Sequence, residues 1–160
     1  MQPSTYAIPL DMPGKLYVMA KPSSDWLQED IAAWRLMGLD RIVSLLTTGE
    51  AQEMGLTAEA EFCRSQGLDF LSFPIPDRGL AKARPFATLA RQILDELLAG
   101  RAVGIHCRAG IGRSGMLACC ILKCHGASAE AAIALVSHAR GVPVPDTDEQ
   151  AAFIHGFRIV

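Results

Sequence analysis

Val103-Gly104-Ile105-His106-Cys107-Arg108-Ala109-Gly110-Ile111-Gly112-Arg113-Ser114-Gly115 changes character twice, and the reading of those changes decides the fold. The apolar run Ala102 to Ile105 suits a buried parallel strand, and Met116-Leu117-Ala118-Cys119-Cys120-Ile121-Leu122 suits a helix packed on a sheet. The polar, glycine-containing stretch between them is then a loop at the carboxyl end of a strand. Open α/β sheets bind their ligands at that end.

The residue types of the loop point to an anion. Gly110 and Gly112 can take backbone angles closed to other residues, so consecutive N–H groups can turn inward as a nest, and the following helix adds the positive end of its dipole. Arg113 supplies a planar fork able to hold two oxygens of one phosphate. Cys107 stands where a nucleotide-binding loop would have no use for a thiol, and the Gly-Lys-Ser/Thr ending of such a loop is absent, which argues against ATP or GTP. The field that attracts phosphate is expected to lower the Cys107 thiol from about 8.5 into the roughly 3.5–7.5 range of cysteines at helix N-termini, making it a thiolate at neutral pH.

His106-Cys107, five residues and Arg113-Ser114, with both glycines in a strand–loop–helix setting, resemble the signature of the cysteine-dependent protein tyrosine and dual-specificity phosphatases. Low-molecular-weight phosphatases and arsenate reductases carry their loop near the N-terminus, and rhodanese-like domains have no upstream acid. The resemblance implies a doubly covered α/β fold: a mostly parallel twisted sheet of about five strands flanked by helices, with residues 1–160 as a single phosphatase domain. It also implies a phosphate cradle made by Arg108, Ala109, Gly110, Ile111, Gly112 and Arg113. His106 would support the loop from behind, and Ser114 would donate to the departing thiolate. No metal or cofactor is implied.

Going outward, Tyr6 to Leu10 and Leu16 to Ala20 read as two strands of an antiparallel edge, joined by the turn Asp11-Met12-Pro13-Gly14. Asp25 is expected to cap a helix to about Met37, in which Leu27, Ile31 and Trp34 share a face. Arg41 to Leu46 reads as a central strand that leaves through the loop Thr47-Thr48-Gly49-Glu50, where the resemblance allows Glu50 or Glu53 to reach the loop arginine. Thr57 is expected to cap a helix to about Gln66. Leu68 to Phe73 reads as a strand covered on both faces.

That strand delivers Pro74-Ile75-Pro76-Asp77-Arg78-Gly79 to the same edge of the sheet. A loop closure there could carry the Asp77 carboxyl to the leaving oxygen of a phosphate ester, which makes it the candidate general acid. Ile75 stands where the longer tyrosine-specific phosphatases have Trp. Arg84 to Ala99 is a strongly amphipathic helix, and Ser128 caps another to about Arg140. Thr147 and Gln150 match a capping box, and the resemblance offers Gln150 a second role, positioning a water.

Half of the 160 residues are hydrophobic, a fifth are charged and the net charge is −2, which leaves no basic footprint for nucleic acid. No apolar run approaches a spanning helix of about 20 residues. Met1-Gln2-Pro3-Ser4 opens without the basic and apolar regions of a leader, so a cytoplasmic monomer is expected. The five cysteines lack zinc spacing and are odd in number, so buried free thiols are expected. With no long aromatic recognition segment the pocket should be shallow. The function expected is hydrolysis of phosphoproteins at phosphotyrosine, with phosphoserine and phosphothreonine in reach, through a cysteinyl-phosphate. Phosphoinositides or inositol phosphates are the alternative substrates, and a non-catalytic phosphate-binding protein is the alternative of another class.

Overall fold

In the computed structural model of the chain, which describes residues 4–158, the elements run β1 (Thr5–Ile8), β2 (Lys15–Met19), α1 (Leu27–Leu36), β3 (Arg41–Ser44), α2 (Thr48–Glu53), α3 (Glu59–Ser65), β4 (Asp69–Ser72), α4 (Ala83–Leu98), β5 (Ala102–His106), α5 (Arg113–Cys124), α6 (Ala129–Arg140) and α7 (Asp148–Gly156). Residues 1–3 and 159–160, touched by the readings of the chain's opening and closing stretches, lie outside that range. The strands form one five-stranded sheet in the order β1-β2-β5-β3-β4. Only the β1–β2 pair at the edge is antiparallel, and β2, β5, β3 and β4 run parallel.

Alternation along the strands divides the apolar residues between two cores. Val103 and Ile105 of β5 join Leu16, Val18 and Val43 under α4, α5, α6 and α7, in a core that contains Phe86, Ile93, Leu97 and Leu117. Ala102, Met19 and Ile42 face the opposite way, against Ile31, Trp34 and Cys63 of α1 and α3. His106 follows Ile105 and takes the second face, its ring stacked on Trp34 at 6.1 Å between centroids. Every residue of β5 is buried, as expected of a strand with helices on both sides.

The register sets the ends of the strands level. Met19 and Ser44 both pair with His106, so β2, β3 and β5 finish together and hand the chain to loops on one edge. At the opposite edge Arg41 and Arg101 share the Glu96 carboxylate at 2.8 and 2.9 Å, and Arg101 also holds Asp69 at 2.6 Å.

Several local expectations are corrected. Asp25 does not cap α1. The helix begins after Trp26 with no side-chain cap, because a turn bonded from Trp26 N–H to the Ser23 carbonyl comes first, and Asp30 accepts from Ser23 N–H instead. Thr57 likewise does not cap α3, which starts after Ala58. β4 is not covered on both faces: it is the outer strand, paired with β3 alone, and its residues are exposed or half-buried although Leu71 and Phe70 touch opposite cores. The stretch after β3 is the short helix α2, closed by a capping box in which Thr47 Oγ1 accepts from Glu50 N–H and Glu50 accepts from Thr47 N–H. No apolar run follows it to betray the helix.

Phe86 lies at 0% exposure, edge-on to Phe153 and Phe157, so it joins α4 to α7. Phe86→Ala is expected to remove about 3–5 kcal/mol of stability. Urea denaturation should show a lower midpoint with an unchanged slope.

Candidate active site

The Cys107–Gly112 loop leaves β5 and closes on the first turn of α5. Its carbonyls are taken from outside. Lys21 N–H donates to the Arg108 carbonyl, Arg140 donates to those of Ala109 and Gly110 at 3.0 and 3.2 Å, and α5 amides take those of Ile111 and Gly112. Among the described residues no backbone bond uses the amides of residues 108–113 as donors. With the carbonyls pinned outward, the N–H groups remain free to converge on an anion. The Arg140 guanidinium is itself held over the Tyr6 ring at 4.1 Å.

The two loop glycines serve different constraints. Gly110 has φ +75°, and a Cβ there would lie 2.6 Å from the Met19 carbonyl oxygen. Gly112 does not use a backbone angle reserved for glycine: its φ is −74°, and it is needed because a Cβ would stand 2.9 Å from that of Asp146 and 3.1 Å from Gln150 Oε1. That corrects the reading of Gly112.

Arg113 is 1% exposed and makes four kinds of contact. Glu50 grips it end-on at 2.6 and 2.9 Å, the Ile75 carbonyl accepts from Nη1 at 2.8 Å, the Leu45 carbonyl at 3.5 Å, and Asp77 accepts from Nη2 at 3.1 Å. These bonds leave Nε–H without a protein partner, so that N–H and the Nη2 N–H facing Asp77 form the side of the fork available to a ligand. Glu50 also accepts from Arg108 Nε at 3.3 Å. Burial alone would raise the Glu50 carboxyl, but hydrogen bonds from Arg113, Thr47 and Arg108, with the Arg113 charge, bring it down to about 2. Glu53, the other acid of this stretch, is exposed.

Cys107, Arg108, Ala109, Gly112, Arg113, Asp77, Arg78 and Asp146 line one cavity of about 180 Å³. Cys107 is 3% exposed at its floor. Ile111 is half-buried. Ser114 is fully buried just beyond the loop, its Oγ among the described polar atoms that lack a partner. His106 is turned away from the cavity: Nε2 lies 2.6 Å from Glu59 Oε2, and Nδ1 lies 3.3 Å from the Cys107 carbonyl.

Gln150 closes the α7 capping box with Thr147, and its Oε1 accepts from the Asp146 and Thr147 amides. Its Nε2 donates to the Gly79 carbonyl at 3.2 Å. The loop carrying Asp77 is thus fastened to the start of α7, and a second tie, Arg78 to Asp146 at 3.2 Å, crosses the mouth of the cavity. Arg78 has φ +58°, an angle uncommon outside glycine. Lys82 and Arg84, a few residues further on, are exposed.

Sequence reasoning missed Glu59, Arg140 and Asp146. The capping-box spacing Thr47-x-x-Glu50 was a signal that Glu50 opens a helix beside the loop. Nothing local marks Glu59 or Arg140, since their contacts lie 47 and about 30 residues away in the chain. The other four cysteines are free, and burial pushes Cys119 and Cys63 up to about 12.

A family model described as Swiss Army Knife protein, DSP-PTPase phosphatase domain, matches residues 10–158. The protein tyrosine phosphatase domain-containing protein 1 of Bos taurus is 32% identical over 117 residues, which cover 67% of this chain and 15% of the relative. The chain therefore corresponds to a small part of that relative's length. A crystal structure of kinase associated phosphatase, with its catalytic cysteine replaced by serine, superposes with a TM-score of 0.91 at 23% identity, covering 99% of this chain and 95% of that one. PTPMT1 in complex with PI(5)P superposes with a TM-score of 0.73 at 17% identity, covering 89% and 88%.

The Glu50 shift has a consequence for acid stability. Its folded value, about 2, lies below its ordinary 4.5, so its contribution is complete above pH 4.5 and is lost as pH falls toward 2. Glu50→Gln should be less stable than the parent at neutral pH, and its unfolding midpoint should fall less steeply between pH 5 and pH 2. Thermal unfolding across that range checks both expectations.

Proposed function

The chain belongs to the DSP-PTPase phosphatase family, and from that premise we propose that it is a phosphomonoester hydrolase of phosphoproteins working through a cysteinyl-phosphate. The observation that carries this reading is the gathering of Cys107, the unbonded loop amides, Arg113 and Asp77 around one cavity.

A phosphate dianion occupies the nest, its non-bridging oxygens on the amides of residues 108–113 and on the Nε and Nη2 side of Arg113. It displaces Asp77 from Nη2, and the freed carboxyl, protonated beside the dianion, faces the leaving oxygen. The Cys107 sulfur attacks phosphorus in line, the phosphorus–oxygen bond of the ester breaks, and the Asp77 proton passes to the departing alcohol or phenol. The fork and fixed amides match the equatorial oxygens as the phosphoryl group flattens, so binding strengthens toward the transition state. Asp77, now a carboxylate, takes a proton from water as that water attacks phosphorus and the sulfur leaves. Ser114 Oγ–H donates to the departing thiolate. Gln150, its Oε1 on the α7 cap and one Nε2 N–H on the Gly79 carbonyl, anchors the acid loop through both steps, and its second N–H is left to orient the attacking water.

We further propose that residues 1–160 act as one phosphatase domain, as a monomer in the cytoplasm. No helix among the described residues is long and apolar enough to cross a membrane. The small volume of the cavity, about 180 Å³, supports phosphotyrosine together with the shorter phosphoserine and phosphothreonine as substrates. Phosphoinositides are the second reading, favoured by the cations Arg78 and Arg108 at the rim and by the PI(5)P complex of the structurally similar PTPMT1.

Hydrolysis of an aryl phosphate in the presence of EDTA between pH 5 and 8 tests the assignment. Cys107→Ser should be inactive, and Asp77→Asn should slow turnover by about 10²–10⁴-fold, most on substrates with poor leaving groups. A panel of phosphotyrosine, phosphothreonine and phosphoinositide substrates then ranks the classes. A wild-type protein that binds phosphate and releases none would make it a phosphate-binding protein instead.

A further inference from the structure

Glu59 is a buried carboxylate that the reaction above does not use. It opens α3, yet its side chain turns inward and is 3% exposed. Its Oε2 lies 2.6 Å from Nε2 of His106, which is wholly buried. The other ring nitrogen, Nδ1, lies 3.3 Å from the carbonyl oxygen of Cys107. An ionised carboxylate and a carbonyl oxygen are both acceptors, so with Glu59 ionised an imidazole set between them fulfils both contacts by carrying a proton on each nitrogen. The ring face is stacked on Trp34, whose π cloud favours a positive partner. A cation buried this completely needs an anion in contact, and Glu59 is that anion.

We propose that Glu59 is a positioning residue for the nucleophile, acting through His106: it holds the imidazole doubly protonated, with one N–H fastened to the Cys107 carbonyl and its positive charge behind the thiolate. The inference rests on Cys107 being the nucleophile. The two N–H bonds fix the peptide on which the loop starts, and alternation along β5 puts the ring opposite the substrate, where the charge cannot be claimed by the phosphate. The ionisable groups around this ring are few. Cys107 adjoins it on its own strand. Cys63 stands one turn beyond Glu59 on α3, its thiol raised by burial and by the Glu59 charge, so it remains a thiol. From α1 come Trp34 and, one turn before it, the buried carboxylate of Asp30, which accepts from Ser23 N–H; from β2 and β3 come Met19 and Ser44 at the paired positions, which do not titrate.

The test reads the thiolate and the ring directly, without turnover. The rate of Cys107 alkylation by iodoacetamide is measured from pH 4 to 9 in the wild type, in Glu59→Gln, in His106→Asn and in the double variant. Glu59→Gln should move the midpoint up by about one unit, a tenfold loss of reactivity below both midpoints, while reactivity converges at high pH; Glu59→Asp should restore part of it. In the His106→Asn background Glu59→Gln should shift nothing further. An unchanged midpoint in folded Glu59→Gln, or an equal shift in both backgrounds, overturns the proposal. Should Glu59→Gln not fold, ¹⁵N-histidine NMR of the wild type decides: a buried ring with both nitrogens protonated from pH 5 to 8 supports it, and a single protonated nitrogen on that ring overturns it. Loss of aryl phosphate hydrolysis in the wild type, with the alkylation profile as described, would count against the phosphatase reading and leave the Glu59–His106 pairing standing.

Discussion

The guanidinium of Arg113 is the group on which the site depends. A fixed positive charge at 1% exposure has to be answered by neighbouring acceptors, and its acceptors come from three separate segments: the end of β3 through the Leu45 carbonyl, α2 through Glu50, and the acid loop through Ile75 and Asp77. Satisfying one side chain therefore gathers the loops of three neighbouring strands. It also orients the fork. Glu50 takes one N–H from each terminal nitrogen, so the edge formed by Nε and Nη2 has to face the cavity. A lysine, with one point charge and no fixed plane, would neither draw the segments together nor present an edge.

The same logic extends to the backbone of the loop. A nest of inward amides requires carbonyls that point outward, and outward carbonyls inside a folded protein need donors. Arg140 supplies two of those donors from α6, and its own charge is set against Tyr6 of β1. The antiparallel edge strand, remote from the chemistry in sequence, is thus part of the scaffold that keeps the cradle open. Glycine is needed at Gly110 because the loop passes against the end of β2 with a positive φ, and at Gly112 because α7 begins against it.

What could be read from the chain follows from the range of the interactions. The strand–loop–helix around Cys107, the acid loop, the α4 stripe, the Ser128 cap and the Thr147–Gln150 box are all local patterns, and each appears where the pattern put it. The sheet, parallel except at β1, follows from strands separated by helices. Position within the sheet was harder. The stretch around β4 is nearly free of polar residues, as an interior strand would be, yet only its β3 side is paired, and its apolar side chains are half-covered by the two cores. Asp25 and Thr57 have the right chemistry for caps, but each sits inside a turn, Ser23 to Trp26 and Leu56 to Glu59, and the helices start two residues later. Glu50 was visible only as one of two acids that could reach the loop arginine, because its separation of 63 positions from Arg113 is closed only by the sheet.

Two faces of β5 also separate two electrostatic tasks. Arg113 and the loop line the cavity on one side, while His106 and Glu59 meet on the other side of the strand, beside Trp34. Side chains of adjacent strand residues point to opposite faces, so His106, immediately before Cys107, is turned away from the cavity that Cys107 lines. Gln150 couples the remaining parts by a similar economy of contacts. Its one buried amide closes α7, orders Asp146 beside Gly112 and ties down Gly79. Moving the Asp77 loop away from the cavity therefore has to break the Gly79 bond and the Arg78–Asp146 pair together.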